Sequence, residues 1–301
     1  MNAAWSQIVV NALLTGSISL LVALSLHLIR ACNGFFDLTV ASVFAVAPYG
    51  VFVCLHLASG SYPIQSGIGI AACVTGVLVA LSCGFLLNWF LFAPFRRKAV
   101  SGGVLLVIGW AAYMFLENFL GVLFGQDSLS IRWFSEPQPI KILGAYLTPL
   151  NVATIIIAAV LALGAVGMLR GGLSLKVRCV ADNPELALLR GIHVERVRAT
   201  SAMCAAMLAG TAGILQGLDT QLSPRMGFEP VLNGIAALLI GQEWGAVGVI
   251  LAALGLAQLQ QFVGWTWGND WQSVCTFILV VMFLLWRGSG RAISATSGGK
   301  L

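Results

Sequence analysis

The sequence predicts an all-α fold: a polytopic transmembrane helical bundle with about eight full spans plus one short re-entrant or broken helix. Three observations carry that reading. Charged residues make up 9% of the 301-residue chain, against roughly 25% in a typical globular protein. Hydrophobic residues reach 59%, and the mean hydropathy is +0.94. The apolar stretches are also long. A soluble fold of this size could not cover its surface with so few charges. Residues 1–301 read as a single transmembrane domain.

A helix that crosses the ~30 Å hydrocarbon core needs about 20 mostly apolar residues. By that criterion the spans are 8–29, 35–57, 67–92, 104–124, 151–169, 200–218, 246–263 and 271–287. The remaining apolar piece, 232–241, is about 15 Å long as a helix, half the membrane. Backbone that stops at membrane depth survives only where protein or a wet cavity surrounds it.

Orientation follows from the basic residues. Arg30, Arg96, Arg97, Lys98, Arg170, Lys176, Arg178, Arg190, Arg196, Arg198, Arg287, Arg291 and Lys300 fall on one side of the alternating spans; only Arg132, Lys141 and Arg225 fall on the other. The richer side is expected to be cytoplasmic, which leaves the N-terminus outside and the C-terminus inside. Topology therefore explains the formal charge of +5, and nucleic acid is not needed as a partner. That parity requires 232–241 and 246–263 to meet at a turn on the cytoplasmic side. Residues 1–7 lack a basic n-region, so the first segment is expected to stay in the chain. No two of the seven cysteines form a C-x-x-C pair; most sit in apolar runs, where a thiol packs as a small hydrophobe.

Two loops are long. Residues 125–150 carry Trp133, Phe134, Pro137 and Pro139 and are expected to lie over the outer face. Residues 170–199 are cytoplasmic and hold the densest charge. Within them Asn183 is a good N-cap, Pro184 suits the first helical position and Glu185 complements the positive end of the helix dipole. Arg190 falls in the last turn, and Gly191 suits the left-handed terminating position. A helix of about seven residues is expected outside the membrane, with Leu186, Leu188 and Leu189 exposed. Physical chemistry alone leaves two occupants for that apolar face: a protein partner or the membrane surface.

The stretch resembles the cytoplasmic coupling segment of inner-membrane permeases in ATP-binding-cassette importers of the branched-chain amino acid type. Their pattern reads approximately R-A-V-A-E-N-P-E-A-A-R-L-x-G-I. Arg178, Val180, Ala181, Asn183, Pro184, Glu185, Ala187, Leu189, Gly191 and Ile192 fit it, while Leu186 and Leu188 replace the family's Ala and Arg. The likeness continues through Ala23-Leu24-Ser25-Leu26, Pro94-Phe95-Arg96-Arg97, Ile108-Gly109 with Asn118, Pro224-Arg225-Met226-Gly227 and Leu239-Ile240-Gly241. Two places depart from it. The family's N-F-A-x-G run is Phe36-Asp37-Leu38-Thr39-Val40 here, closer to the D-L-S-V run of related sugar permeases. The glycine-rich turn after the broken helix is Gly241-Gln242-Glu243-Trp244-Gly245.

The resemblance implies a permease subunit for a small polar solute, most often a branched-chain or other amino acid, with urea, amides and sugars as further candidates. It also implies partners: cytoplasmic ATP-binding subunits, a second permease subunit, a periplasmic solute-binding protein and the surrounding membrane lipid. Asn183, Pro184, Glu185, Ala187, Leu189 and Gly191 would then carry the coupling to the ATPase.

No G-x-x-x-x-G-K-[ST] occurs, and Gly298-Gly299-Lys300-Leu301 lacks both the leading glycine and the hydroxyl. ATP and magnesium are therefore expected on a partner subunit, with no cofactor on this chain. There is no H-E-x-x-H and no G-x-S-x-G, and His27, His56 and His193 are far apart, which disfavours a membrane enzyme. Polar groups at membrane depth are costly and are the leads for a solute route. They are Asp37, Thr39, Glu117, Asn118, Thr211 and Gln216, followed by Gln258, Gln260 and Gln261. Each has a plain structural alternative: Asp37 as a helix cap, the glutamines as interhelical hydrogen-bonders. A proton-coupled transporter or channel using Glu117 or Asp37 is the rival function. Gly121 with Gly125, and Gly213 with Gly217, are G-x-x-x-G patterns that predict close helix packing.

Overall fold

In the computed structural model, residues 2–58, 66–98, 100–131, 140–142, 145–268 and 270–297 are described. The chain runs through α1 (Asn2–Asn33), α2 (Thr39–Ala58), α3 (Ser66–Leu86), a π-helical turn (Leu87–Phe92) and α4 (Ala93–Arg97). It continues through α5 (Gly102–Phe124), strands β1 (Ile140–Ile142) and β2 (Ala145–Leu147), and α6 (Pro149–Arg170). Then come α7 (Gly172–Asp182), α8 (Pro184–Leu189), α9 (Val194–Asp219), α10 (Phe228–Gly241), α11 (Gly245–Trp267) and α12 (Asp270–Ser297).

Among the described residues, seven helical stretches are long and apolar enough to cross a membrane: Trp5–Asn33, Thr39–Leu57, Ile68–Arg96, Gly102–Phe124, Pro149–Arg170, Val194–Asp219 and Phe228–Trp267. They correspond to the first seven expected spans, the second starting at Thr39 rather than 35 and the third at Ile68 rather than 67. The last of them also takes in the expected short helix, because α10 and α11 run together through one tight turn. The eighth expected span lies in α12, whose apolar part Asp270–Phe283 is shorter. Trp133, Phe134, Pro137 and Pro139 lie outside the described residues; the same loop pairs β1 with β2 antiparallel.

Helices α1, α2 and α9 form the centre. Leu21, Leu24, Phe44, Ala205 and Ala209 are buried there, while α3, α5 and α6 leave most of their apolar surface outward. The fit of α9 against α2 depends on a missing hydrogen bond. Pro48 sits inside α2 and has no N–H to give the Phe44 carbonyl four residues back. On α9, a Cβ at Gly213 would strike that carbonyl, and one at Gly217 would lie 2.8 Å from the Pro48 side chain. Only hydrogen at these two sites lets the backbones approach. Among the described residues the second glycine pattern meets no other helix: the space above Gly121 is filled by Gln126, just beyond the end of α5, and Gly125 caps α5 at φ +89°.

The segment after α9 turns back into the bundle. Gly217 touches Pro48, whereas Gly227 lies against the Ala41 carbonyl, seven residues nearer the start of α2. That displacement along α2 is about 10 Å. Leu222 and Met226 are buried on the way. Helix α10 therefore begins inside the bundle. Its 14 residues give about 21 Å, longer than the ten-residue apolar core suggests because Phe228, Glu229, Pro230, Val231 join the N-terminal end. The turn Gln242–Trp244 is 3-10 and closes tightly because Gly241 and Gly248 meet without side chains. Gln242 accepts a hydrogen bond from the Arg30 guanidinium at the end of α1, so this turn lies at the same end of the bundle as Arg30.

Candidate functional site

The loop 170–199 folds into two short helices and the start of a third. Helix α7 ends at Asp182, and Asn183 turns to extended backbone, φ −154° and ψ 104°. The Asn183 Oδ1 then accepts from the backbone N–H of Glu185 (3.0 Å) and of Leu186 (3.1 Å). Pro184 occupies a position that needs no donor, and Glu185 sits in the first turn. At the far end the Ile192 N–H reaches the Ala187 carbonyl (3.0 Å) and the Gly191 N–H the Leu188 carbonyl (2.9 Å). These two bonds make a Schellman motif, which places Gly191 in the left-handed region at φ +77°. Helix α8 is thus six residues long, one shorter than expected, because Arg190 has left helical geometry to reach the glycine.

Both caps fix which face is offered. Ala187 is 2% exposed and packs with Cys32, Val177, Val180, Val194 and Val197, tying the segment to the end of α1 and the start of α9. Leu186, Leu188 and Leu189 are 56%, 58% and 83% exposed. Burying an apolar side chain is worth roughly 1.5–3 kcal/mol, so three uncovered leucines on a rigid base leave an apolar face whose covering would be favourable.

Beside this face lies a polar cluster that the sequence did not reveal. Pro94 has no N–H for the Phe90 carbonyl, and α3 passes into the π turn there; the Ala93 N–H bonds to the carbonyl of Asn88, five residues back. The bulge buries Asn88, whose Oδ1 accepts from Arg96 Nη2 at 2.9 Å. Arg96, 6% exposed, also reaches Glu195 at 3.4 Å, and Arg198 reaches the other Glu195 oxygen at 3.5 Å. Arg96 was visible only as part of a basic turn. Its partner is 99 residues away, and no local pattern links the two.

The six expected route residues do not converge. Asp37 caps α2: its Oδ1 accepts from the Thr39 backbone N–H (2.8 Å) and from the Thr39 hydroxyl (2.6 Å). Both are buried, and the cap explains why α2 begins at residue 39 rather than 35. Glu117 accepts from Arg225 Nε at 2.9 Å. Asn118 is on the exposed face of α5 and donates to the Met114 carbonyl. Thr211 donates to the Met207 carbonyl and borders an apolar groove between α3 and α6. Gln216 is half-buried one turn before the end of α9. The outer glutamines bridge helices: Gln260 donates to Asn233 (3.0 Å) and Thr276 (2.7 Å), and Gln261 to Thr15 (3.0 Å).

Comparison with known proteins draws these features together. Residues 8–284 match the family described as "Branched-chain amino acid transport system / permease component". The chain belongs to that permease family. Among the family's curated members, the chain is similar to the high-affinity branched-chain amino acid transport system permease protein BraD of Pseudomonas aeruginosa. The two are 23% identical over 301 residues, covering 94% of each chain. It is also similar to the permease protein LivH of Salmonella typhimurium, 21% identical over 93% of this chain and 92% of that one. LivH of Escherichia coli K12 is 20% identical over the same shares. The family match takes in the capped segment, the π turn and the α10–α11 hairpin.

Proposed function

We propose that this chain is the membrane permease subunit of an ATP-binding-cassette importer in a bacterial inner membrane, with its N-terminus outside and its C-terminus in the cytoplasm. It carries a small polar solute, a branched-chain or other amino acid first among the candidates, as its named relatives do. ATP is hydrolysed on separate subunits; a second permease subunit and a periplasmic solute-binding protein complete the assembly. The single observation that carries this reading is α8: a segment capped at both ends, anchored through Ala187, and offering Leu186, Leu188 and Leu189. Closure of the ATP-binding subunits would push on this segment. Ala187 would pass the displacement to the ends of α1 and α9, which form the centre of the bundle.

Two pairings favour this over a proton-coupled carrier. Glu117 is held by Arg225, and Asp37 is engaged in capping α2; a carboxylate that shuttles protons needs freedom to exchange them. The experiment is a pull-down of the cognate ATP-binding subunit with Gly191→Val and with Glu185→Lys, run beside an uptake assay. Valine at φ +77° is strained, being β-branched in a glycine region, and lysine opposes the dipole by roughly 0.3–1 kcal/mol. Both variants should insert normally yet bind the ATPase weakly and lose uptake. Normal binding and normal uptake in both would remove α8 as the docking site.

A further inference from the structure

Between α8 and the start of α9 lies a cleft of about 500 Å³, walled by Pro184 and Leu188 on one side and by Val194 on the other. Arg96, Arg196 and Arg198 line it, against the carboxylates of Glu185 and Glu195. One carboxylate serves two guanidiniums: Glu195 reaches Arg96 at 3.4 Å and Arg198 at 3.5 Å, both long for a charge-assisted bond. Nε and Nη1 of Arg96 and Nε of Arg198 are buried and have no hydrogen-bond partner among the described residues. A buried donor left unpaired is costly, and a buried charge more so. The Arg96 side chain is 6% exposed, and it lines the cleft. The cleft thus holds more guanidinium donors than its two carboxylates engage among the described residues.

We propose that an acidic side chain of the ATP-binding subunit completes this cleft by pairing with Arg96 and Arg198. The inference rests on the reading of α8 as the docking segment, and it names the chemistry that the partner brings. The position selects the occupant. One wall of the cleft is α8 itself, with Leu188 facing into it while Leu189 points out at 83% exposure. Whatever covers the leucines also covers the mouth of the cleft. Its net charge favours an anion: three guanidiniums stand against two carboxylates. A carboxylate entering here would replace Glu195 on one arginine and join the buried donors, so that the strength of docking is set where α3, α4 and α9 meet. The apolar face would supply contact area, and the cleft would supply register and charge selection.

The test uses the whole permease in lipid nanodiscs and measures affinity for the cognate ATP-binding subunit over a range of salt concentrations. Arg96→Gln and Arg198→Gln are expected to weaken binding by on the order of tenfold or more, and to flatten its salt dependence. Glu195→Gln separates the proposal from a purely internal clamp. With the competing carboxylate neutralised, both arginines are released to the partner, so binding should strengthen several-fold and its salt dependence should steepen. Because Arg198→Gln and Glu195→Gln leave the buried Arg96 in place, the outcome does not depend on whether Arg96→Gln folds. Weakened binding in Glu195→Gln would make the trio a structural clamp and overturn the proposal. Wild-type affinity in all three, with binding lost in Leu189→Asp, would overturn it too while leaving the docking reading intact. Unchanged affinity in Leu189→Asp as well would sink the docking reading itself. Loss of bound anionic phospholipid from the arginine variants, at unchanged partner affinity, would assign the cleft to lipid and contradict the proposal.

Discussion

Arg225 Nε donates to Glu117 Oε1 at 2.9 Å, joining the segment that re-enters the bundle after α9 to the middle of α5. The two ends of the pair differ in environment. Glu117 is 13% exposed and Arg225 79%, so the carboxylate is fixed by its helix while the cation approaches from an open side. A carboxylate at a helix centre costs about 2.5–3.5 kcal/mol on insertion scales, and this pairing offsets part of it. Phe228, at the start of α10, packs on Trp110 and Tyr113 of the same α5 face. Movement of α5 and entry of α10 are thereby linked.

That linkage gives a first prediction. Glu117→Ala should lower uptake several-fold while leaving most of the folded protein in the membrane, and Arg225→Ala should do the same. A double-mutant cycle on thermal stability is expected to return a coupling of about 0.2–1 kcal/mol, the range for ion pairs open to solvent, as this one is through Arg225. Asn118→Ala, on the exposed face of α5, should stay within twofold of wild-type uptake. Equal losses at 117 and 118 would mean that the α5 surface, and not the ion pair, matters.

The contact between Gly213 and the Phe44 carbonyl yields a second. Gly213→Leu forces α9 away from α2 at the centre of the bundle, and overpacking of this kind typically costs 1–3 kcal/mol. Its melting temperature in detergent should fall well below that of Gly164→Leu, where a Cβ meets nothing within 4 Å. Similar melting temperatures for the two variants would show that α9 is not held at that distance.

These glycines show how far the sequence could be read. The G-x-x-x-G spacing at 213 and 217 announced a close contact, but not that Pro48 had opened the Phe44 carbonyl to receive it; that needs the partner helix. The same spacing at 121 and 125 announced a contact that does not exist between the described helices, since Gln126 fills the space from within the chain. The caps of α8 were legible because Asn183, Pro184 and Gly191 act on backbone groups within a few residues of themselves. The pairing of Arg96 with Glu195 was not, because α5 to α8 stand between the two residues in the chain, and only the folded chain brings them together. Asp37 stood among the solute-route candidates, with a helix cap as its plain alternative; its two bonds to Thr39 show the capping contact.

Orientation supplies a third prediction. The Arg30–Gln242 contact puts the α10–α11 turn at the end of the bundle where most basic residues gather. A cysteine at Asp127 should react with an impermeant thiol reagent added outside intact spheroplasts, and one at Lys176 should react only after lysis. The native thiols supply the background, measured in the parent protein. Reversed labelling would invert the assignment of sides.

The N-cap gives a fourth. Asn183→Ala removes the acceptor for two N–H groups and should cost about 0.5–2 kcal/mol locally. Asn183→Asp keeps it. Hydrogen exchange at Glu185 and Leu186 is expected to quicken in the alanine variant and to remain slow in the aspartate one, with uptake following the same order. Uptake lost equally in both would separate the cap from coupling.

The central claim is that transport through this bundle is driven by ATP hydrolysed on a docked partner. Its most direct test is uptake of a labelled branched-chain amino acid into proteoliposomes that hold the permease, its cognate ATP-binding subunits and the solute-binding protein. Uptake should require ATP on the side of α8, survive a protonophore, and vanish with Gly191→Val although that variant still inserts. Uptake that persists without ATP and collapses with the proton gradient would contradict the account.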